Sequence, residues 1–201
     1  MAFKYAGVRA SPPAYDYVQE SRINKVRIIG GSHRRRLIEF PDADGLRPTP
    51  DRVRETLFNW LGQTLDGRRC LDLFAGSGAL GFEAASRGAA EVVMVERNRQ
   101  VFRNLQENIK KLGFANIALY GEDGLEFVKQ QNRPFDVVFL DPPFQSGHLP
   151  KLLPLLVDKL TVDGMVYVES GAPFEADAMW QVIKQARAGA VFYQLLRYGQ
   201  V

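Results

Sequence analysis

An α/β fold around a mostly parallel sheet is what this sequence predicts, and three observations carry the prediction. From residue 70 onward, short apolar runs alternate with helix-length segments, the pattern of a parallel sheet covered on both faces. The first run passes through a glycine-rich turn into a helix, as in nucleoside-binding crossovers. Acids recur where the apolar runs stop, and ligands of such sheets bind beyond the carboxyl ends of the strands.

Residues 1–21 carry Pro12-Pro13, scattered tyrosines and no sustained period, so they read as a flexible arm. Residues 22–64 read as an extension of the main domain. Two apolar runs, 26–29 and 37–40, flank the turn signal Gly30-Gly31-Ser32, which predicts a β-hairpin. A helix follows from Thr49, expected as N-cap with Pro50 at its first position, to about Gly62. Val53, Leu57, Trp60 and Leu61 make its core-facing stripe, leaving Arg47, Arg52 and Arg54 for solvent, cofactor or nucleic acid. Residues 65–201 form the main domain: strands at 70–74, 91–96, 116–120, 135–140 and 165–169, with helices at 79–87, 98–112, 125–131 and 149–159 between them. The runs 181–186 and 191–197, split by Ala188-Gly189, read as an antiparallel hairpin at one sheet edge.

Composition narrows the function classes. The chain has 201 residues, 46% of them hydrophobic, enough to fill one core. No apolar run approaches the roughly 20 residues a membrane helix needs, and the N-terminus lacks an apolar signal core. A single cysteine, Cys70, excludes an internal disulfide and suits the reducing cytoplasm; it reads as a small buried residue. With only His33 and His148 besides, no metal-ligand spacing exists. The net charge of +3 is uneven: residues 1–60 hold 11 Lys/Arg against 7 Asp/Glu. Arg22, Lys25, Arg27, Arg34, Arg35 and Arg36, with His33 beside them, form a cationic cluster free of acids, the footprint of a polyanion partner.

Two motifs carry chemistry. Gly76, Gly78 and Gly81 have the spacing G-x-G-x-x-G after the run that begins at Cys70, and Glu96 closes the next run. The glycines allow close backbone approach to a ligand, and the terminal acid can accept from ribose hydroxyls. The fingerprint by itself leaves the cofactor open between a dinucleotide and S-adenosylmethionine. Asp72, inside the first strand, offers a carboxylate for the ammonium of the latter's methionine end, since a buried unpaired acid there would be costly. Asp123, next to Gly124, either reads an adenine amine or caps the helix that follows. The second motif is Asp141-Pro142-Pro143-Phe144 at the end of an apolar strand. Acceptor oxygens on a stiff loop beside a stacking ring suit a planar substrate bearing an NH₂ group, above all a nucleobase; the plain alternative is a rigid turn with Asp141 bonded to nearby backbone.

Gly45-Leu-Arg-Pro-Thr-Pro-Asp-Arg-Val-Arg-Glu-Thr-Leu-Phe-Asn-Trp-Leu61, Phe74-Ala-Gly-Ser-Gly-Ala-Leu-Gly81 and Asp141-Pro-Pro-Phe144 occur in this order, and with them the sequence resembles the bacterial RsmD family from about Lys25 to Tyr198. The glycine and Asp-Pro-Pro-Phe motifs are shared with many amino-methyltransferases, whereas the Arg-Pro-Thr-x-Asp-Arg-Val-Arg-Glu block is specific. The resemblance implies a Rossmann-like class I methyltransferase fold, a seven-stranded mostly parallel sheet with an N-terminal β-hairpin extension. It implies transfer of a methyl group from S-adenosylmethionine to the exocyclic N2 of a guanine in 16S ribosomal RNA, within the small subunit or its assembly intermediate. The implied cofactor site is Asp72, Phe74, Ala75, Gly76, Ser77, Gly78, Gly81, Glu96, Asp123 and Gly124. Asp141, Pro142, Pro143 and Phe144 would be catalytic, and Arg27, His33, Arg34, Arg35, Arg36, Arg47 and Arg52 would meet RNA. The protein is expected as a cytoplasmic monomer without metal. His33 departs from the family's pattern, which often has a tryptophan there, and the arm before Lys25 is longer than the resemblance covers. A DNA amino-methyltransferase shares both motifs; a nicotinamide oxidoreductase would use the glycine turn and Glu96 but gives no reason for Asp141-Pro-Pro-Phe144; a non-catalytic RNA-binding module would need neither.

Overall fold

The computed structural model describes residues 23–42, 46–142, 147–175 and 177–199. The arm expected at 1–21, Arg22, Gly45, Pro143 and Phe144 lie outside the described residues. The chain opens with an antiparallel pair, β1 (Ile23–Arg27) and β2 (Leu37–Pro41), followed by helix α1 (Asp51–Trp60). Then come β3 (Arg69–Asp72), α2 (Ala79–Ser86), β4 (Glu91–Val95), α3 (Arg99–Leu112), β5 (Ile117–Tyr120), α4 (Gly124–Gln130) and β6 (Phe135–Leu140). Helix α5 (Leu149–Leu156), β7 (Leu160–Ser170), β8 (Trp180–Ala188) and β9 (Val191–Tyr198) close it. Seven strands form one sheet in the order β5-β4-β3-β6-β7-β9-β8. Pairing is parallel from β5 through β7 and antiparallel where β9 inserts between β7 and β8, so the terminal hairpin caps one edge as the sequence predicts.

The alternation of side chains along the buried strands feeds two cores. Cys70, Val137, Phe139 and Tyr167 point to one face, where they meet α1, α2, α3 and the β1–β2 hairpin. Leu71, Val138, Leu140 and Val168 point to the other, against Phe127 and Val128 of α4 and Leu152, Leu153 and Leu156 of α5. Helix α2 is buried at every position, Glu83 and Ser86 included, because the sheet covers one side and the hairpin the other. Helix α3 is capped at its start, where the Asn98 side chain accepts from Gln100 N and Val101 N, and stops at Gly113 in the left-handed conformation.

Burial of Arg54 corrects an expectation. It points into the core with no exposed surface, where the sequence left it for solvent or ligand. Its guanidinium donates to Glu83 at 3.2 Å, to Asp51 at 2.7 Å and to the carbonyls of Thr49 and Arg27, both at 3.0 Å. Glu83, equally buried, accepts from Ile29 N and Gly30 N at 2.8 Å each and from Arg87 Nε at 2.8 Å. One carboxylate thus joins the hairpin, α1 and α2. Around it the turn 30–33 seats on the end of α2: Ser32 N donates to Ser86 O, Ser86 Oγ to Gly30 O, and His33 N to Ser86 Oγ. Gly31 must be glycine here, since its φ is +75° and a Cβ would overlap the Ser86 carbonyl.

Three boundaries also differ. Pro50 occupies the N-cap of α1 and Asp51 begins it, so Thr49 is one residue too early to cap. Helix α5 tightens into a 3₁₀ turn at Val157–Lys159, after Pro154, which lacks the N–H that would bond four residues back. Strand β7 begins at Leu160, ahead of the expected 165, with a register irregularity between Phe135 and Val137.

Removing one member of a buried ion pair leaves the other uncompensated and costs about 3–5 kcal/mol. Glu83→Ala is expected to lower the unfolding free energy by that order in urea titrations and to speed amide exchange at Ile29 and Gly30. A loss below about 1 kcal/mol, in the range of an exposed pair, would show that the pair does not hold the hairpin.

Candidate active site

Strand order reverses between β3 and β6, since β3 hands its chain on to β4 on one side and pairs with β6 on the other. That switch opens a crevice beyond the carboxyl ends of the two strands, and both motifs fall there. The turn from β3 to α2 is held from two sides: Ala75 N donates to Val95 O at 2.9 Å and Gly76 N to Glu96 Oε2 at 3.0 Å. Gly78 completes it with φ +79°, and a Cβ there would lie 2.6 Å from the Phe82 ring, so only glycine lets α2 start beneath the loop. Ser77 is buried with its hydroxyl 3.4 Å from Ala79 N.

Asp72 is buried at the end of β3 and accepts from Gly81 N at 2.9 Å. Burial pushes its carboxyl up to about 7; the Gly81 N–H opposes the rise and the charge of Glu96 adds to it. An acid so desolvated is the partner an ammonium group needs. Glu96 is half-buried, and its other oxygen, Oε1, accepts from Asn98 N at 2.7 Å, which ties the glycine turn to the loop after β4. Asp123 does cap α4: Oδ1 accepts from Leu125 N at 2.9 Å, while Oδ2 lies 3.9 Å from Arg97. Capping thus uses one oxygen and leaves the other at the surface. Gly124 packs on Leu73 and brings this loop beside the β3 turn. Phe74 stacks on His148 with ring centroids 5.5 Å apart.

Asp141 sits half-buried one residue beyond β6, and Pro142 is buried behind it. Burial first, then the charges of Glu169 and Asp72, push the Asp141 carboxyl well above the usual carboxylate range. Glu169 is a site residue that the sequence reading missed. It is buried near the end of β7, accepts from the Tyr167 hydroxyl at 2.8 Å and lies beside Thr49. An acid closing a fourth apolar strand, after Asp72, Glu96 and Asp141, was the available signal. Leu46 comes within 3.0 Å of where a Gly76 Cβ would stand, so the segment from Leu46 to Thr49 crosses from the glycine turn to Glu169.

The cationic residues separate into two places. Arg47 and Arg52 are exposed beside that segment. Arg34, Arg35 and Arg36 are exposed on the hairpin turn, at the opposite end of α2 from the glycine loop, and Arg35 has φ +71°. Among the described residues none of these five forms an ion pair, whereas Arg27 pairs with Asp51 at 2.7 Å and Lys25 with Glu39 at 3.3 Å. His33, expected at the RNA, is engaged by the fold: its ring stacks on Phe114 at 4.0 Å, and its nitrogens meet Ser32 Oγ and Leu112 O. Cys70 is fully buried and its thiol is pushed up to about 12 by that burial, which makes it unreactive. Among the described residues no cluster suited to a metal occurs, and no helix is long and apolar enough to cross a membrane.

Comparison with known proteins identifies the family. A family profile described as Conserved hypothetical protein 95 matches residues 26–197. Ribosomal RNA small subunit methyltransferase D of Escherichia coli (strain K12) is 44% identical over 177 residues, 85% of this chain and 89% of that protein. Its namesake in Haemophilus influenzae is 41% identical over 179 residues, 85% of this chain and 93% of that one. A solved structure from Escherichia coli, described as a candidate methyltransferase, superposes with a TM-score of 0.79 at 41% identity and covers 87% of this chain and 98% of that chain. The sheet order and the N-terminal hairpin are those of a Rossmann-like methyltransferase fold, and the chain belongs to the Conserved hypothetical protein 95 family, the RsmD family.

Proposed function

We propose that this protein transfers a methyl group from S-adenosylmethionine to the exocyclic N2 of a guanine in 16S ribosomal RNA. The observation that carries the reading is the meeting of Asp72, Glu96 and Asp141 at the β3/β6 switch point. The names of the curated relatives supply the class of substrate, small-subunit ribosomal RNA. When bound, S-adenosylmethionine supplies an electrophilic methyl on a sulfonium. Asp72 would meet its ammonium, Glu96 its ribose hydroxyls and the outward oxygen of Asp123 its adenine amine, with the 74–78 turn offering backbone beside it. No phosphate is needed in this arrangement, and the acids would repel one.

A guanine N2 lone pair is delocalised into the ring and is a poor nucleophile. The Asp141 carboxylate and the Pro142 carbonyl accept its two N–H groups and hold the nitrogen with its lone pair toward the methyl. Orientation of this kind supplies much of the rate gain of an in-line displacement. Phe144 would stack on the base, and the base must leave its own stack to arrive. Arg47 and Arg52 would take phosphates near the site, and the Arg34–Arg36 turn would take them farther along the RNA. The substrate is read as RNA in the small subunit or its assembly intermediate, and the protein as a cytoplasmic monomer.

Three outcomes are expected. Calorimetry should show S-adenosylhomocysteine binding in preference to NAD; tight NAD binding with no response to S-adenosylhomocysteine would remove the methyltransferase reading. Asp141→Ala should lower the single-turnover methylation rate by about 10²-fold or more, the range of a missing acid–base group, with cofactor affinity within a few-fold; a near-normal rate would return Asp141 to a turn residue. Replacing Arg34, Arg35 and Arg36 together by Gln should weaken binding of all RNA sequences alike and flatten the salt slope by about 0.7 for each single-strand phosphate no longer neutralised. An unchanged slope would confine RNA binding to the Arg47 and Arg52 side.

A further inference from the structure

Strands β6 and β7 run parallel with Leu140 opposite Val168, so Asp141 and Glu169, each one residue on, stand side by side at the strand ends. Asp72 ends β3 on the same sheet face, one strand away. Glu169 is approached from two directions. The Tyr167 hydroxyl, on the same strand and the same face, donates to Oε1 at 2.8 Å, and Thr49, from the segment ahead of α1, lies close enough to favour its charged form. Thr49 is held in turn, because the buried Arg54 donates to its carbonyl at 3.0 Å. Tyr167 is locked by Phe139 and Tyr193, with ring centroids 6.5 Å away in each case. None of these contacts is needed to hold cofactor, and an acid buried among aromatics is costly to keep for packing alone.

We propose that Asp141 and Glu169 work as one carboxylate pair, in which Glu169 is the positioning residue and Asp141 receives the proton released by the methylated amine. The inference rests on the methyltransferase reading above. As the N2–methyl bond forms, the carbon–sulfur bond breaks and its electron pair stays on sulfur, giving S-adenosylhomocysteine. The nitrogen now carries one proton too many, and that proton passes along the existing hydrogen bond to the Asp141 carboxylate, which becomes neutral and later returns it to water. The Tyr167 donor favours the ionised form of Glu169, and a negative charge beside Asp141 makes that carboxylate a stronger acceptor than an isolated one. The groups facing Asp141 are consistent with this: Glu169 and Tyr167 from β7, Asp72 from β3, Tyr193 behind Tyr167 from β9, and Thr49 from the crossing segment, with Arg47 exposed two residues before it. Burial and the neighbouring acids raise the Asp141 carboxyl, and burial raises Glu169 against the opposing effects of Tyr167 and Thr49.

Asp141 accepts only when ionised, so the rate falls as pH drops through its raised pKa. Glu169→Gln keeps the size and an acceptor oxygen but removes the charge, so the Asp141 pKa should fall and the acid limb of the single-turnover profile should move down by about one pH unit, with a lower plateau. Tyr167→Phe, which keeps the ring and removes one donor, should move the limb the same way by less. The substrate is 16S RNA or small subunits from cells lacking this protein, with saturating S-adenosylmethionine. Carboxyl carbon-13 titration of the free protein follows Asp141 in parallel and needs no turnover. A limb and an Asp141 titration that stay at the wild-type pH in Glu169→Gln, whatever the rate, would overturn the pair and leave Glu169 a packing residue. Absence of methylguanine with the wild-type protein, together with a shifted Asp141 titration, would instead overturn the methyltransferase reading while leaving the pair in place.

Discussion

Four donors converge on the two oxygens of Glu83, and most of the architecture outside the sheet depends on their staying there. Ile29 N and Gly30 N belong to the hairpin turn, Arg54 to α1, and Arg87 to the end of the helix that carries Glu83 itself. With no water reaching either Glu83 or Arg54, each charge is tolerable only because the other, and the bonds around both, are present. The pair also reaches the chemistry indirectly. Arg54 sets the carbonyl of Thr49, and Thr49 lies next to Glu169 beside Asp141. An ion pair in the core thereby fixes one wall of a crevice formed by entirely different strands.

The crevice is unusual in its charge. Asp72, Glu96, Asp141 and Glu169 end four successive strands of the sheet, and two of them, Asp72 and Glu169, are buried. Burial first, and then the like charges beside them, make Asp72 and Asp141 hold their protons more tightly than free carboxyls do. A cationic ligand would relieve this strain. The basic groups lie outside, on Arg47, Arg52 and the hairpin turn, so the surface is suited to a polyanion and the interior to a cation.

Much of this was legible in the sequence, and the parts that were not share a cause. The parallel strands and the glycine turn follow from local periodicity and from residues that only certain backbone shapes accept, so 135–140 and the positions of Gly76 and Gly78 are as expected. Arg54 was misplaced because its partner Glu83 is 29 residues away, and helical spacing alone put it among exposed arginines. Thr49 reads as a cap because threonine is a preferred capping residue; in the fold it is buried, with its carbonyl taken by Arg54. His33 looked like part of a cationic surface until Phe114 and Leu112 were folded against it. Pairing between distant segments decides each of these, and no single window of sequence contains it.

The seating of the hairpin turn on the far end of α2 has a consequence for scale. Helix α2 has eight residues, about 12 Å at 1.5 Å per residue. A ligand that touched both the glycine-loop end and the arginines at 34–36 would therefore have to be at least that long, about three or four stacked nucleotides at 3.4 Å each. A mononucleotide could occupy one end only. The helix thus sets the distance that any ligand held at both ends of α2 would have to span.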